Sequence, residues 1–167
     1  LAFGMNTEPS IPVQLSLIDN EVTTSGVLLE ISNSTDAEGD NLSYDFRLYD
    51  ATQTVQLDSA IGVAQGTGVT LLEVITALDD NAQHWWTVQA YDGYEYSELA
   101  GPASFLINFQ NDTPSGFNLT SPIAGEAITS QSPLFTWDPA VDPDPLDTVK
   151  YVLYLDTPDP GVETYDV

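Results

Sequence analysis

Two stretches decide the fold of this chain: DAEGDNLSYDFRLYD at residues 36–50 and DPDPLDTVKYVLYLD at residues 142–156. Each opens with carboxylates two residues apart and then alternates apolar and polar side chains. The apolar face consists of Tyr44, Phe46 and Leu48 in the first stretch and of Tyr151, Leu153 and Leu155 in the second. Alternation with a period of two is typical of a half-buried β-strand, so each stretch predicts an acidic surface loop that leads into a strand.

The residues around the first stretch predict an all-β unit. Turn residues separate short apolar segments between residues 9 and 110, and no segment has helical periodicity. We expect seven strands, at Val13 to Leu17, Val27 to Ile31, Leu42 to Tyr49, Thr54 to Ile61, Val69 to Ile75, His84 to Tyr91 and Ala103 to Phe109. Seven short strands separated by turns predict an antiparallel β-sandwich.

The pattern restarts at Asn111, because residues 111–130 echo residues 5–25 and the second acidic loop then follows. We therefore expect an arm or linker at residues 1–8, a complete sandwich at residues 9–110, and the first three to four strands of a second sandwich at residues 111–167. Half a sandwich cannot close a two-sheet core. The chain is thus expected to be either a fragment of a longer array or a subunit that strands of another chain complete.

Charge and composition restrict the function. The 167 residues contain 26 Asp and Glu against two basic residues, Arg47 and Lys150, which gives a formal net charge of −24. Such a surface repels phosphate backbones and anionic lipid, so nucleic acid is not an expected partner. No apolar run is long enough for a membrane span, and no cysteine is present for disulfides or thiolate sites. Two readings of the acidity stay open: a surface that keeps a secreted or salt-adapted protein soluble, and specific binding of divalent cations.

Three segments resemble the fibronectin type III-like β-sandwich repeats of secreted and cell-surface microbial proteins. PSGFNLTSPIAGEAI at residues 114–128 resembles the first strand and turn of that family, and LFTWDP at residues 134–139 resembles its second strand with the buried tryptophan, here Trp137. ALDDNAQHWWTVQAYDG at residues 77–93 resembles the late alternating strand. Two positions depart from the pattern: Ile31 stands where the second copy has Trp137, and His84 stands where the family often has a corner tyrosine.

The resemblance implies a non-catalytic structural repeat of an extracellular or cell-surface protein, acting as a spacer, an adhesive module, or a building block of a filament or surface layer. Its partners would be other copies of the repeat or neighbouring chains. The alternative is a carbohydrate-binding accessory region of a secreted hydrolase, which would use the outward residues Trp85, Tyr91, Tyr49 and Arg47 as its face. The only histidine, His84, has no cysteine or second histidine to help it hold a transition metal, and no nucleophile motif accompanies it.

Calcium is the cofactor that the acidic loops suggest. Asp36, Glu38 and Asp40 have the spacing that opens a helix-loop-helix calcium site, but Asn41 and Arg47 occupy the positions that need glycine and glutamate. In the sandwich topology that the resemblance implies, carboxylates from several loops would instead converge at the domain junctions. The expected metal ligands are Asp36, Glu38, Asp40 and Asp92 in the first unit and Asp142, Asp144, Asp147 and Asp112 in the second. Four asparagines lie in glycosylation sequons in or beside predicted loops: Asn33, Asn41, Asn111 and Asn118.

Overall fold

A computed structural model describes residues 5–156 and 162–166. Residues 1–4 of the expected arm lie outside the described residues. The chain divides into two compact units, residues 1–110 and residues 111–167. Strands are the only regular secondary structure in the described part, so the all-β prediction is confirmed. No helix in that part is long and apolar enough to cross a membrane.

The first unit contains eight strands: β1 (Val13–Gln14), β2 (Glu21–Thr23), β3 (Val27–Ser32), β4 (Ser43–Tyr49), β5 (Gln56–Ala64), β6 (Val69–Val74), β7 (Gln83–Tyr91) and β8 (Ala100–Ile107). They form a three-stranded sheet in the order β1-β3-β6 and a five-stranded sheet in the order β2-β8-β7-β4-β5. All the neighbours are antiparallel except β2 and β8, which are parallel.

One core joins the two sheets. Leu29 and Ile31 of β3 contribute to it from the smaller sheet, and Phe46, Trp86 and Phe105 contribute from the larger one. The inward residues are the ones that the alternation selects, since Tyr44, Phe46 and Leu48 in β4 and Trp86, Val88 and Ala90 in β7 are all buried. The inward face predicted for β4 is confirmed.

The first strand differs from its prediction. A single strand is expected at Val13 to Leu17, but the chain forms β1, changes direction, and then forms β2 on the other sheet. Leu17, Asp19 and Asn20 all have positive φ, between 51° and 62°. These left-handed residues carry the chain from the edge of one sheet to the edge of the other, where β2 runs in the same direction as β8.

The second unit contains β9 (Leu119–Ser121), β10 (Thr136–Trp137), β11 (Val152–Asp156) and β12 (Val162–Asp166). β9 pairs with β10 and β11 pairs with β12, both antiparallel. Trp137, Phe117 and Tyr151 make a small aromatic cluster, with ring centroids 5.3 Å apart for Trp137 and Tyr151 and 5.0 Å apart for Phe117 and Tyr151. Most apolar side chains described in this unit remain exposed, including Leu134 and Tyr154.

Candidate functional site

Three carboxylates of the second unit lie together in the loop between β10 and β11. Asp142, Asp144 and Asp147 each place a carboxylate oxygen within 4.8 Å of the others. This is the one such group among the residues that the structure describes. Asp147 is exposed, Asp142 is half-buried, and only 3% of Asp144 is exposed to solvent. Three of the eight predicted metal ligands are therefore brought together.

Backbone hydrogen bonds hold the loop in this shape. The amide of Asp112 donates to Oδ2 of Asp144 at 2.8 Å, and the amide of Asp144 donates to Oδ1 of Asp142 at 3.1 Å. The amide of Asp147 donates to the carbonyl of Asp144 at 3.3 Å, across Leu146, whose φ of 70° closes the turn. Asp112 was predicted as a ligand through its side chain. In this site, its backbone amide donates to Asp144 and orients that carboxylate.

Asp144 is unusual for its burial. Among the side chains described in the second unit, residues 111–155, it is the only one classed as buried. Its Oδ1 is inaccessible to solvent and has no hydrogen-bond partner among the described residues. An ionised carboxylate that is removed from water requires a compensating donor or cation, because the lost hydration is costly. The one ion pair in the described part of the chain joins Arg47 and Asp45 at 3.8 Å, in the first unit.

The acidic loop of the first unit is arranged differently. Both carboxylate oxygens of Glu38 accept hydrogen bonds from Thr7, from its hydroxyl at 3.1 Å and its amide at 3.3 Å. Oδ1 of Asp36 accepts from the amide of Asp40 at 2.9 Å, while its Oδ2 is buried without a partner among the described residues. Asp36, Glu38 and Asp40 therefore do not form a three-carboxylate group with Asp92.

Asp92 acts as the centre of a turn after β7. Its Oδ1 accepts from the amides of Tyr94 at 2.6 Å and Glu95 at 2.7 Å, and its Oδ2 accepts from Nδ2 of Asn6 at 2.9 Å. Burial alone would raise the pKa of Asp92, but the hydrogen bonds from Glu95, Asn6 and Tyr94 outweigh it and lower the pKa below its ordinary value. The donors that satisfy this carboxylate come from the protein itself, so Asp92 has a structural partner for each oxygen.

The acidic loops of the two units share four hydrogen bonds at corresponding positions. In the first unit, Ser10 and Thr35 exchange a backbone and a side-chain bond, Ser34 donates to the Tyr44 hydroxyl, and Thr7 donates to Glu38. In the second unit, Ser115 and Val141 exchange the same two bonds, Ala140 donates to the Tyr151 hydroxyl, and Asp112 donates to Asp144. Glu38 thus corresponds to Asp144, and Thr7 to Asp112. Thr7 and Asn6 were not predicted as donors, although the alignment of residues 6 and 7 with Asn111 and Asp112 is the sequence signal that points to them.

The outward aromatic residues of the larger sheet lie at two separate places. Trp85 is opposite Tyr49 in the register of β7 and β4, whereas Tyr91 is opposite Ser43 at the other end. Arg47 lies between them, opposite Thr87. Trp85 and Tyr91 are six positions apart along β7, which is roughly 20 Å. The predicted face of four residues is therefore not one compact platform.

Tyr91 already has internal partners. Its ring packs on Tyr96 with centroids 4.5 Å apart, and its hydroxyl donates to the carbonyl of Gly93 at 2.8 Å. Beneath this pair, the charge of buried Asp45 raises the pKa of the Tyr96 hydroxyl. Asp45 also accepts from the amide of Gly62 at 2.9 Å. The sequence indicates this polar cluster through Asp45, a carboxylate in the middle of β4 that lies two residues before Arg47 and on the same face of the strand.

Trp85 is half-buried and borders an open groove of about 690 Å³. Its Nε1 donates to the carbonyl of Ala51 at 3.3 Å. Asp19, Asn20 and Ser104 supply polar groups along the same groove. An aromatic ring beside hydroxyl, amide and carboxylate groups is a combination that can stack on and hydrogen-bond a sugar.

His84 lies inside the first unit. Only 2% of its surface is exposed, and its ring stacks on Phe105 with centroids 5.6 Å apart. Burial lowers the pKa of His84 below 6.5, and this exceeds the opposing effects of a hydrogen bond with the Ala82 backbone and of the charges of Asp79 and Asp50. An imidazole enclosed in this way is neutral at physiological pH and has no access to a substrate.

The four sequon asparagines differ in their surroundings. Asn33 uses its side chain internally, since Nδ2 donates to the carbonyl of Gly66 at 2.7 Å and Oδ1 accepts from Thr70 at 2.7 Å. Asn41, Asn111 and Asn118 are exposed. The last three positions have the accessibility that a glycan requires.

No protein-family model matches the sequence, and no curated protein matches it significantly.

Proposed function

We propose that the chain is a non-catalytic structural segment of an extracellular or cell-surface protein, built from fibronectin type III-like repeats. Its role is that of a spacer, an adhesive module, or a building block of a filament or surface layer. Other copies of the repeat or neighbouring chains are its partners. The observation that carries the proposal is the set of four corresponding hydrogen bonds that ties each unit's entering segment to its acidic loop. Tandem repetition of one β-unit is typical of modular structural proteins.

The strand arrangement of the first unit supports the repeat type. If β1 and β2 are counted as two halves of one edge strand that changes sheets, the unit has seven strands in two sheets around one core. This is the strand number of the immunoglobulin-like sandwiches, in which strands that switch sheets also occur.

The second unit supports an incomplete second copy. β9 and β10 pair as β1 and β3 do, and β11 and β12 pair as β4 and β5 do. Trp137 and Leu119 are register partners, as Ile31 and Gln14 are in the first unit. The two units therefore follow one plan over these strands.

The burial of His84 supports a non-catalytic role. As the only histidine, it would be the natural general base, but it is enclosed by the core and stacked on Phe105. The carboxylates of Glu38 and Asp92 are engaged by Thr7, Asn6 and backbone amides. These groups are used for structure.

Immunogold electron microscopy with antibodies against the purified chain tests the proposal. Label on the cell surface or on extracellular fibres of the source cells is the expected result. Label confined to the cytoplasm would contradict an extracellular structural role, and so would turnover of a polysaccharide or peptide substrate by the purified chain at a rate above that of a denatured control.

Carbohydrate binding is the second candidate, and the groove beside Trp85 is the observation that favours it. The structure reduces the proposed face from four residues to Trp85 with Tyr49 as its register partner, because Tyr91 packs on Tyr96. A glycan array with the wild-type chain and a Trp85→Ala variant tests it, with Tyr94→Ala as the control for an exposed aromatic residue outside the groove. Binding lost in Trp85→Ala alone supports the candidate; no binding, or equal binding by all three proteins, rejects it.

A further inference from the structure

We infer that the second unit binds one calcium ion through Asp142, Asp144 and Asp147, within a single loop. The inference is independent of the proposed structural function. Three of the eight expected ligands hold the ion, and Asp112 is a positioning residue whose amide orients Asp144.

The spacing of the carboxylate oxygens suits one shared ion. The three carboxylates each offer an oxygen within 4.8 Å of the other two. Calcium binds oxygen ligands at about 2.3–2.6 Å, so two oxygens on opposite sides of one ion are about 4.6–5.2 Å apart. The described spacing is therefore compatible with one shared ion.

The burial of an Asp144 oxygen also favours a bound cation. Oδ1 of this residue is inaccessible to solvent and has no hydrogen-bond partner among the described residues, while Oδ2 is held by the amide of Asp112. Among the described side chains of residues 111–155, the one buried position thus holds a carboxylate instead of an apolar side chain. A divalent cation between Asp142, Asp144 and Asp147 compensates both the lost hydration and the repulsion among three negative charges.

The loop suits calcium better than magnesium. Three carboxylate oxygens with an exposed side leave room for several water molecules, and calcium accepts six to eight oxygens in flexible geometry. Magnesium needs a near-ideal octahedron and dehydrates reluctantly. The partial exposure of the site places its affinity in the weak extracellular range, with a Kd of about 10⁻⁴–10⁻³ M.

The first unit provides an internal control. Glu38 occupies the position that corresponds to Asp144, but Thr7 donates to both of its oxygens, and its loop does not form a three-carboxylate group. A Glu38→Gln variant removes the same amount of charge from the corresponding loop without touching the proposed site. It therefore separates a specific site from general attraction of cations to a chain with a net charge of −24.

Isothermal titration with calcium chloride on the full chain tests the inference, at about 0.15 M NaCl so that long-range attraction is screened. Four proteins are compared: wild type, Asp144→Asn, Asp147→Asn and Glu38→Gln. We expect one site in the wild type and in Glu38→Gln, and a loss of affinity of at least tenfold in both Asp variants. Asp147 is exposed, so its variant keeps the fold even if Asp144→Asn disturbs the loop.

Circular dichroism in the presence of EDTA checks that each variant is folded. Equal affinity in Asp147→Asn and wild type overturns the inference, as does equal weakening in Glu38→Gln, which indicates non-specific counterion binding. A wild-type chain without a saturable calcium heat overturns it too. Titration with magnesium chloride distinguishes the cation, since the inference expects at least tenfold weaker binding of magnesium.

Discussion

Replacement of Trp86 by phenylalanine is expected to destabilise the first unit strongly. Trp86 is fully buried in β7 and stacks on Phe46 with ring centroids 6.1 Å apart. Its Nε1 donates to the carbonyl of Leu17 at 2.9 Å, across 69 residues of sequence. Leu17 lies where the chain crosses from one sheet to the other, so this bond ties the crossing segment to the centre of the core.

Two losses add up in Trp86→Phe. The Leu17 carbonyl loses its buried donor, which costs about 1–3 kcal/mol. The smaller ring also leaves a gap where the rest of the indole was, at roughly 0.8 kcal/mol for each buried carbon that is lost. The sum is about 3–5 kcal/mol, a large fraction of the roughly 5–15 kcal/mol that stabilises a typical domain.

The neighbouring tryptophan supplies the control. Trp85 is half-buried on the opposite face, and its Nε1 bond to Ala51, at 3.3 Å, is exposed, so water can replace it. We expect Trp85→Phe to cost less than about 1 kcal/mol. Urea unfolding of both variants in a Trp137→Phe background makes tryptophan fluorescence report on the first unit alone. Equal losses in the two variants, or a cost below 1 kcal/mol for Trp86→Phe, would refute the assignment of Trp86 to the core and Trp85 to the surface.

Two further predictions concern the first unit. Burial lowers the pKa of His84 below 6.5, so the unfolded chain takes up a proton more readily than the folded chain. The contribution of His84 to stability is therefore complete above pH 6.5 and declines as the pH falls through that value. The urea midpoint should drop between pH 7.5 and 5.5 by more in the wild type than in His84→Phe. Gly101 has a φ of 94°, and an added Cβ would lie 2.8 Å from the Trp86 carbonyl, so Gly101→Ala should cost about 1–3 kcal/mol or more in urea unfolding. Gly93→Ala, at a φ of 102° with open space around it, should cost less, and the reverse order would contradict the described packing.

The core of the first unit could be predicted because the alternation of apolar and polar residues that specifies it lies within single strands. Alternation in β4 identified Tyr44, Phe46 and Leu48 as inward residues, and each of them is buried. A period of two leaves little ambiguity when one face of a strand packs on a core, because a shift of one residue would expose every apolar side chain.

The crossing from β1 to β2 could not be predicted in the same way. Glu21–Thr23 is short and has no apolar alternation, and it forms a strand because β8, more than 80 residues later, offers an unpaired edge. The charge pattern of the sequence indicated the acidic loops. Which carboxylate oxygens in each loop receive a hydrogen bond, however, depends on backbone amides that are distant in the sequence. Thr7 satisfies Glu38 through its hydroxyl and amide, whereas Asp112 has no hydroxyl and leaves Oδ1 of Asp144 without a donor.

The parallel pairing of β2 and β8 has a mechanical consequence. These strands lie near the two ends of the first unit and run in the same direction, with flanking bonds from Asn20 to Ser104 at 2.9 Å and from Asn108 to Thr23 at 3.0 Å. A pulling force applied through the two ends of the unit would therefore act along the strands and load these bonds together, in shear. An antiparallel pair at the same place would open one bond at a time. The unit is built to resist extension, even after the two-residue strand β1 has detached from β3.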